Sequence, residues 1–465
     1  MRLNTALCVA AVALCTACAA TRVETYVTTG DRTRLLARDA DVRFVASSTA
    51  DSGTIEVDDS REFQEMVGFG AALTDASAWL IEHALTPVRR DSLLRDLFGP
   101  TPGAGFSFVR LDMGASDFSL RHYSYDDMPT GETDPTLARF SIAADTGETI
   151  AILRRALEIN PRLSIMASPW SAPGWMKTTG SMIKGTLRPE WYATYAEYFR
   201  RFIDAYAAHG ILIYAVTIQN EPHFEPDDYP GMRMDPAARA KFIGQSLGPL
   251  FARAGIRARI LDWDHNWDEP GSPLAVLADS AARRYVSGVA WHCYAGNVSA
   301  QAAVHDAYPD KDAFFTECSG GDWAPKFSDN LVWMVRNLII WSTRNWARGV
   351  LMWNLALDEN HGPHTGGCGN CRGVVTISAR DGTVRRNEEY YAFAHASRFV
   401  RPGARRIAST SVAALDNVAF RNDDGSKVLI VLNADSTAKG FHVRDGDRAF
   451  RYTLPASAVV TFRWR

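Results

Sequence analysis

The chain has 465 residues, 46% of them apolar and 22% charged, proportions of an ordinary globular protein that exclude disordered and fibrous architectures. Its 50 basic residues are offset by 53 acidic ones for a net charge of −3, and no run of Lys or Arg supplies the basic stripe that nucleic acid requires, so nucleic-acid partners are excluded. At about 150 residues per domain the length suggests two or three domains, although one α/β barrel uses about 250 residues by itself.

The first twenty residues read Met1-Arg2, an apolar run from Ala6 to Leu14, and then Cys15-Thr16-Ala17-Cys18-Ala19-Ala20. A bilayer span takes about 18 or more apolar residues, so this shorter run reads as an export signal over 1–17. Cleavage before Cys18 resembles a lipoprotein box with Cys15 in place of the usual Leu and would leave a lipid anchor at Cys18. Cleavage after Ala19 would use the Ala17-Cys18-Ala19 pattern and leave the protein without one. Either cut predicts an exported protein: periplasmic, an outer-membrane lipoprotein, or secreted. No later segment is apolar enough to span a membrane.

From Val23 to about Asp58, short β-rich runs such as 23–27 and 42–45 alternate with polar and Gly turns. The stretch from 399 to 465 behaves alike, with apolar or alternating runs at 428–432, 450–454 and 459–462 around turns such as Asp423-Asp424-Gly425. The predicted division is therefore β-rich ends over 18–60 and 399–465, and a different unit over 61–398. There, eight short apolar runs (65–70, 106–111, 163–168, 212–217, 258–262, 287–292, 313–317 and 350–354) alternate with longer amphipathic ones. One helix is predicted over 190–208, where Trp191, Tyr195, Tyr198, Phe199, Phe202, Ile203 and Tyr206 keep one face apolar until Gly210. Another, over 148–158, halts at Asn160-Pro161 because the proline ring disfavours helical geometry in the residue before it. Eight β/α units predict an α/β fold, the (β/α)8 TIM barrel.

Such a barrel carries its active site at the carboxyl ends of its strands. Strand two ends in Arg110 and Asp112, with Asp117 just beyond; strand three in Ser168-Pro169-Trp170; strand four in Gln219-Asn220-Glu221-Pro222. Strands five to eight end in Asp262 and Asp264, in His292 and Tyr294, in Glu317, and in Trp353-Asn354. Carboxylates, amides, hydroxyls and indole faces are what a sugar demands, since its ring presents hydroxyls to bond and an apolar C–H face to stack on. Glu221 and Glu317 would face one mouth, and two carboxyls about 5–5.5 Å apart define a retaining glycosidase, one donating a proton while the other attacks C1. A lone Glu at a strand end reads equally well as a surface salt bridge. Asn220 directly before Glu221 favours catalysis.

Six motifs then carry a family resemblance: Gly68-Phe69-Gly70-Ala71-Ala72-Leu73-Thr74-Asp75-Ala76, Ala167-Ser168-Pro169-Trp170-Ser171-Ala172-Pro173-Gly174-Trp175-Met176-Lys177-Thr178, Gln219-Asn220-Glu221-Pro222, Trp291-His292-Cys293-Tyr294, Phe315-Thr316-Glu317-Cys318, and Trp353-Asn354-Leu355-Ala356-Leu357-Asp358. In this order they resemble glycoside hydrolase family 30, its glucosylceramidase-like branch, from about Val42 to Trp464. The resemblance implies Glu221 as general acid/base, Glu317 as nucleophile, and a side β-sandwich built from both chain ends. It also implies that Asp117, Trp170, Asn220, Tyr229, His292, Tyr294 and Trp353 line the sugar pocket; Arg110 joins them from its strand end as a substrate-binding candidate. Asp117 can accept two hydroxyls, and Asn220 can bond the 2-OH, a contact that strengthens in an oxocarbenium-like transition state.

After Asp358 many glucosylceramidase relatives read Gly-Gly-Pro-Asn, whereas this chain reads His361-Gly362-Pro363-His364-Thr365-Gly366-Gly367-Cys368-Gly369-Asn370-Cys371. That pattern looks closer to relatives that cut β-1,6-glucan. His361, His364, Asn370 and Arg372 can hydrogen-bond a second sugar, whereas a lipid leaving group favours an apolar rim. Cys8, Cys15 and Cys18 belong to the signal, leaving Cys293, Cys318, Cys368 and Cys371, an even number that suggests disulfides in an exported protein. Cys368 and Cys371 read as a disulfide or as free buried thiols. His361, His364, Cys368 and Cys371 can also be drawn as a zinc site, but the spacing is cramped and no second Cys pair supports it.

The expectation is therefore a cofactor-free, metal-free retaining glycosidase acting on β-glucosidic bonds of an oligo- or polysaccharide, with β-1,6-glucan favoured over glucosylceramide. The rivals are a β-xylosidase or fucosidase of the same family, a zinc hydrolase centred on the His/Cys loop, and a non-catalytic carbohydrate-binding barrel. Having both Glu221 and Glu317 argues against the last.

Overall fold

A computed structural model describes residues 22–47 and 53–465; the signal reading, with Cys8, Cys15 and the anchor at Cys18, lies outside them. Eight parallel strands, Gly68–Ala72, Phe108–Asp112, Ser164–Ser168, Ile213–Thr217, Arg259–Asn266, Val286–His292, Asp312–Glu317 and Ala347–Asn354, close into a barrel, the eighth pairing with the first. Each predicted run is one barrel strand. The first starts later than the 65–70 reading, because Glu65 ends a long strand of another sheet, Thr54–Glu65, and Met66 and Val67 turn the corner with their N–H groups on Ala404 and Arg348 carbonyls. Gly70 is required here: a Cβ on it would meet the Phe108 carbonyl oxygen of strand two.

Strand periodicity stacks the barrel interior in layers. Phe108, Met166, Ala215, Leu261, Ala290, Phe314 and Leu351 form an apolar plug. Successive side chains alternate faces, so the residue two positions on points inward one layer higher. Those residues are Arg110, Ser168, Thr217, His292, Thr316 and Trp353, all but one of them polar. Strand five breaks the count. It continues past the predicted 258–262 to Asn266, with a register shift between Trp263 and His265 and left-handed φ at Trp263 (78°) and Asp264 (54°). This bulge turns Asp264, three residues after Leu261, into the polar layer.

The predicted 190–208 helix is a 3₁₀ turn, Pro189–Trp191, leading into Tyr192–Ala208, which buries Tyr195, Tyr198, Phe199, Phe202 and Tyr206; Gly210 follows at φ 80°. The helix before Pro161 spans Thr149–Ile159. Among the described residues no helix is long and apolar enough to cross a membrane.

Both chain ends build the second unit, an eleven-stranded sheet folded as a β-sandwich. Arg22–Thr29 pairs antiparallel with Ala458–Trp464, while Thr54–Glu65 lies between Arg405–Ser409 and Lys439–Asp445. Val23, Ile55, Leu429, Val431, Phe441 and Phe462 are among the residues of its own core. The unit is fastened to the barrel by His395 of helix Glu388–Ser397, whose ring nitrogens bond Thr461 Oγ1 at 2.8 Å and Thr28 Oγ1 at 2.9 Å.

Candidate active site

The polar layer is organised around Arg110 and Asp264, both fully buried. The Arg110 guanidinium donates to Glu317 Oε2 at 2.5 Å, Asn220 Oδ1 at 2.7 Å and Asp264 Oδ2 at 2.8 Å. Asp264 also accepts from Ser168 (2.6 Å), Thr217 (2.7 Å), Thr316 (2.7 Å) and His292 Nε2 (3.0 Å). Burial alone would raise this carboxyl, but the Arg110 charge and these donors hold it well below the usual carboxylate range. A permanent anion thus sits at the floor of the site.

Glu221 and Glu317 stand above it. Glu221 has a left-handed backbone (φ 46°), unusual for a side chain of its size, and its N–H is tied to the Asp264 carbonyl at 3.0 Å. Its Oε1 lies 3.1 Å from His292 Nδ1, which is also 3.9 Å from Glu317 Oε1. Both carboxylates thus come within reach of one imidazole nitrogen. Glu317 Oε1 accepts from Tyr294 Oη at 2.9 Å, so each of its oxygens has a fixed donor. Burial would lower His292, yet the charges of Glu317, Asp264 and Glu221 push it up to about 9. Burial would raise Glu221, but the imidazoles of His265 and His292 hold it at about 2.

The two carboxylates open into a cleft of about 770 Å³ whose walls include Asp117, Trp170, Asn220, Tyr229, Tyr294 and Trp353. Trp170 and Trp353 stack at 5.0 Å and 20°, with the Arg110 guanidinium 4.7 Å from the Trp170 ring centroid. Burial and the charges of Glu317 and Glu221 raise the Asp117 carboxyl well above its usual range, so it can donate as well as accept. Arg110 and His292 are fully buried beneath the carboxylates and are not among the residues that line the cleft; both hydrogen-bond the acids. Asn370 is exposed on the loop and stands outside the cleft lining.

That loop is closed by a Cys368–Cys371 disulfide, which removes the thiolates a zinc site would need. His361 donates to the Cys371 carbonyl at 2.9 Å and pairs with Asp322 at 3.0 Å, and the Thr365 N–H bonds the Asp117 carbonyl at 2.9 Å, so the loop packs onto the pocket wall. A second disulfide, Cys293–Cys318, links the ends of strands six and seven beside His292 and Glu317. Sequence reasoning did not find this pairing. It also missed three features of the site: the central role of Asp264, the presence of His265, and the half-exposed rings of Trp323 and Phe224 at the cleft mouth. In the sequence Asp264 reads only as one of the polar ends of strand five, and the adjacent His265 and Asn266 are the signal that could have extended that reading.

An eight-stranded barrel with two carboxylates held at one mouth, walled by indoles, defines an O-glycosyl hydrolase of the barrel class. Residues 66–400 match the glycosyl hydrolase family 30 TIM-barrel domain and residues 403–462 the family's β-sandwich domain, so the chain belongs to glycosyl hydrolase family 30. It is 34% identical over 443 residues to an endo-1,6-beta-D-glucanase of Neurospora crassa, covering 89% of each chain. It is 31% identical over 456 residues to the lysosomal acid glucosylceramidase of Mus musculus, covering 90% of this chain and 85% of that one. Among solved structures, the endo-beta1,6-glucanase BT3312 superposes with a TM-score of 0.88 at 35% identity, over 95% of this chain and 99% of that one.

Proposed function

We propose that this enzyme hydrolyses β-glucosidic bonds of a β-1,6-linked glucan by double displacement, with Glu317 as nucleophile and Glu221 as acid/base. The observation that carries the assignment is the division of partners: both oxygens of Glu317 are fixed by hydrogen-bond donors, Arg110 on one and Tyr294 on the other, whereas Glu221 faces imidazoles that can pass a proton to it. Glu317 attacks C1 while the glycosidic oxygen takes a proton from Glu221, and the C1–O bond to the leaving sugar breaks. Water then attacks C1, giving its proton to Glu221, and Glu317 is released. Asn220, fixed by Arg110, is placed to bond the 2-OH, and Asp117 the hydroxyls on the pocket wall.

The substrate reading is supported by the cleft lining, which includes the rings of Phe224 and Trp323 together with the carboxylates of Glu225, Asp227 and Asp228. Stacking faces together with hydrogen-bonding groups fit a second sugar better than the alkyl chains of a ceramide. The two endo-1,6-glucanase relatives add to this. Hydrolysis rates on a pustulan-type β-1,6-glucan, gentiobiose and a short-chain glucosylceramide test it: action on the first two is expected, and ceramide release without action on β-1,6-linked sugars would overturn it. Export, with cleavage at Cys18 or after Ala19, is supported by the leader pattern and by two disulfides, which persist in oxidising compartments.

A further inference from the structure

Beside the cleft, Glu221, His265 and His292 each present one ligand atom, and the three atoms lie within 4.8 Å of one another. Glu221 Oε1 is 3.1 Å from His292 Nδ1 and 3.5 Å from His265 Nδ1. A tetrahedral Zn²⁺ with bonds of roughly 2.0–2.1 Å sets its ligand atoms about 3.4 Å apart, so two of the three pairs already stand at metal-ligand spacing. Two independent features point the same way. His265 Nδ1 is buried and makes no well-formed hydrogen bond; its neighbour in the cluster is Glu221 Oε1 at 3.5 Å, so the nitrogen faces the cluster without being satisfied there. His292 Nε2 is committed to the buried carboxylate of Asp264 at 3.0 Å, the carboxylate–histidine arrangement that fixes the ring of a metal ligand and raises the basicity of its other nitrogen. Glu221 itself borders the cleft, which leaves a fourth coordination position open to water.

We propose that Glu221, His265 and His292 form an inhibitory site for a divalent transition cation, Zn²⁺ in the first instance. The ion sits between Glu221 and His292 and occupies the oxygen from which the leaving group would be protonated. Bound ion and productively bound glucan exclude each other. The site itself follows from the three side chains; its inhibitory effect rests on the reading of Glu221 as acid/base.

The test is equilibrium dialysis of the full chain against Zn²⁺, with the Co²⁺ form examined by visible absorption. One ion per chain and the intense absorption of tetrahedral Co²⁺ are expected. His265→Phe should weaken binding by at least about 10–100-fold, the loss that removal of even an outer-shell partner causes. His364→Ala, on the exposed loop, should leave the affinity as it is. His265→Gln repeats the measurement should the phenylalanine variant fold poorly. No stoichiometric ion, or affinity indifferent to both His265 variants, would overturn the site. Stoichiometric binding at this site without inhibition of glucan hydrolysis would overturn the inhibitory role and count against Glu221 as the acid, while loss of hydrolysis in Glu317→Gln is read separately.

Discussion

Arg110 and Glu317, from barrel strands two and seven, are joined by a 2.5 Å hydrogen bond beneath the cleft, both side chains buried. The same guanidinium also reaches Asn220 and Asp264, so one planar fork sets the nucleophile, the amide before the acid and the buried anion at once. Removing one member of a buried ion pair typically costs about 3–5 kcal/mol, because it leaves a charge without compensation. Arg110→Met should lower unfolding free energy by about that much, measured by denaturant titration, and abolish turnover. Arg110→Lys should not restore activity, since a compact ammonium lacks the planar spread with which the guanidinium reaches Glu317 from one nitrogen and Asn220 and Asp264 from another. Wild-type stability in Arg110→Met would contradict this.

Glu221→Gln should slow glucans far more than aryl glucosides with good leaving groups, because only glucans need protonation at the departing oxygen. The difference should be of the order of 10²–10⁴-fold in kcat/KM, the usual contribution of general acid catalysis. Equal losses on both substrate types in the glycosylation step would remove Glu221 from the acid role.

Trp323 stands at the cleft mouth with its ring against Gly321, where a Cβ would collide with the indole, and the Asp322 N–H is bonded to the Asn370 carbonyl at 3.0 Å. The indole is therefore presented rather than loose. Trp323→Ala should reduce kcat/KM on β-1,6-glucan several-fold, for a stacking contact of about 0.5–1.5 kcal/mol. The reduction should exceed that on a single-sugar aryl glucoside. A reduction of the same size on both would mean that the ring supports the fold and not a second sugar.

His395 joins barrel to sandwich as a neutral ring: burial, with Arg398 adding to it, holds it at about 3. The unfolded chain takes up that proton near 6.5, so the stability this group confers is complete above that pH and is lost as the pH falls toward 3. Between neutrality and about pH 5 the loss should approach 2 kcal/mol. Comparing wild type with His395→Gln by thermal unfolding isolates it: the stability gap between them should narrow on acidification. A gap independent of pH would contradict a neutral buried imidazole.

Much of this was legible in the sequence because strand and helix periods are strong signals over long segments. The eight runs and the apolar face from Tyr195 to Tyr206 map directly onto barrel strands and an outer helix. The pair Glu221 and Glu317 was legible because each ends a run with a distinctive neighbour. What escaped notice depended on three-dimensional closure. Asp264 becomes the centre of the site only because a bulge adds one residue to strand five, and no local pattern marks a bulge. Arg110 and His292 were expected against the sugar. Their burial follows from the inward layer one step above Phe108 and Ala290, which a flat list of strand ends does not reveal.

The most direct test is reaction of the wild-type enzyme with a 2-deoxy-2-fluoro-β-glucoside bearing a good leaving group, followed by peptide mapping. The fluorine slows both steps, and a good leaving group restores the first, so a covalent glycosyl-enzyme accumulates. The account predicts one label per chain, on Glu317, retention of anomeric configuration in the product of normal turnover, and no label in Glu317→Gln. Labelling of Asp117, Glu221 or another carboxylate, or an inverted product anomer, would contradict it.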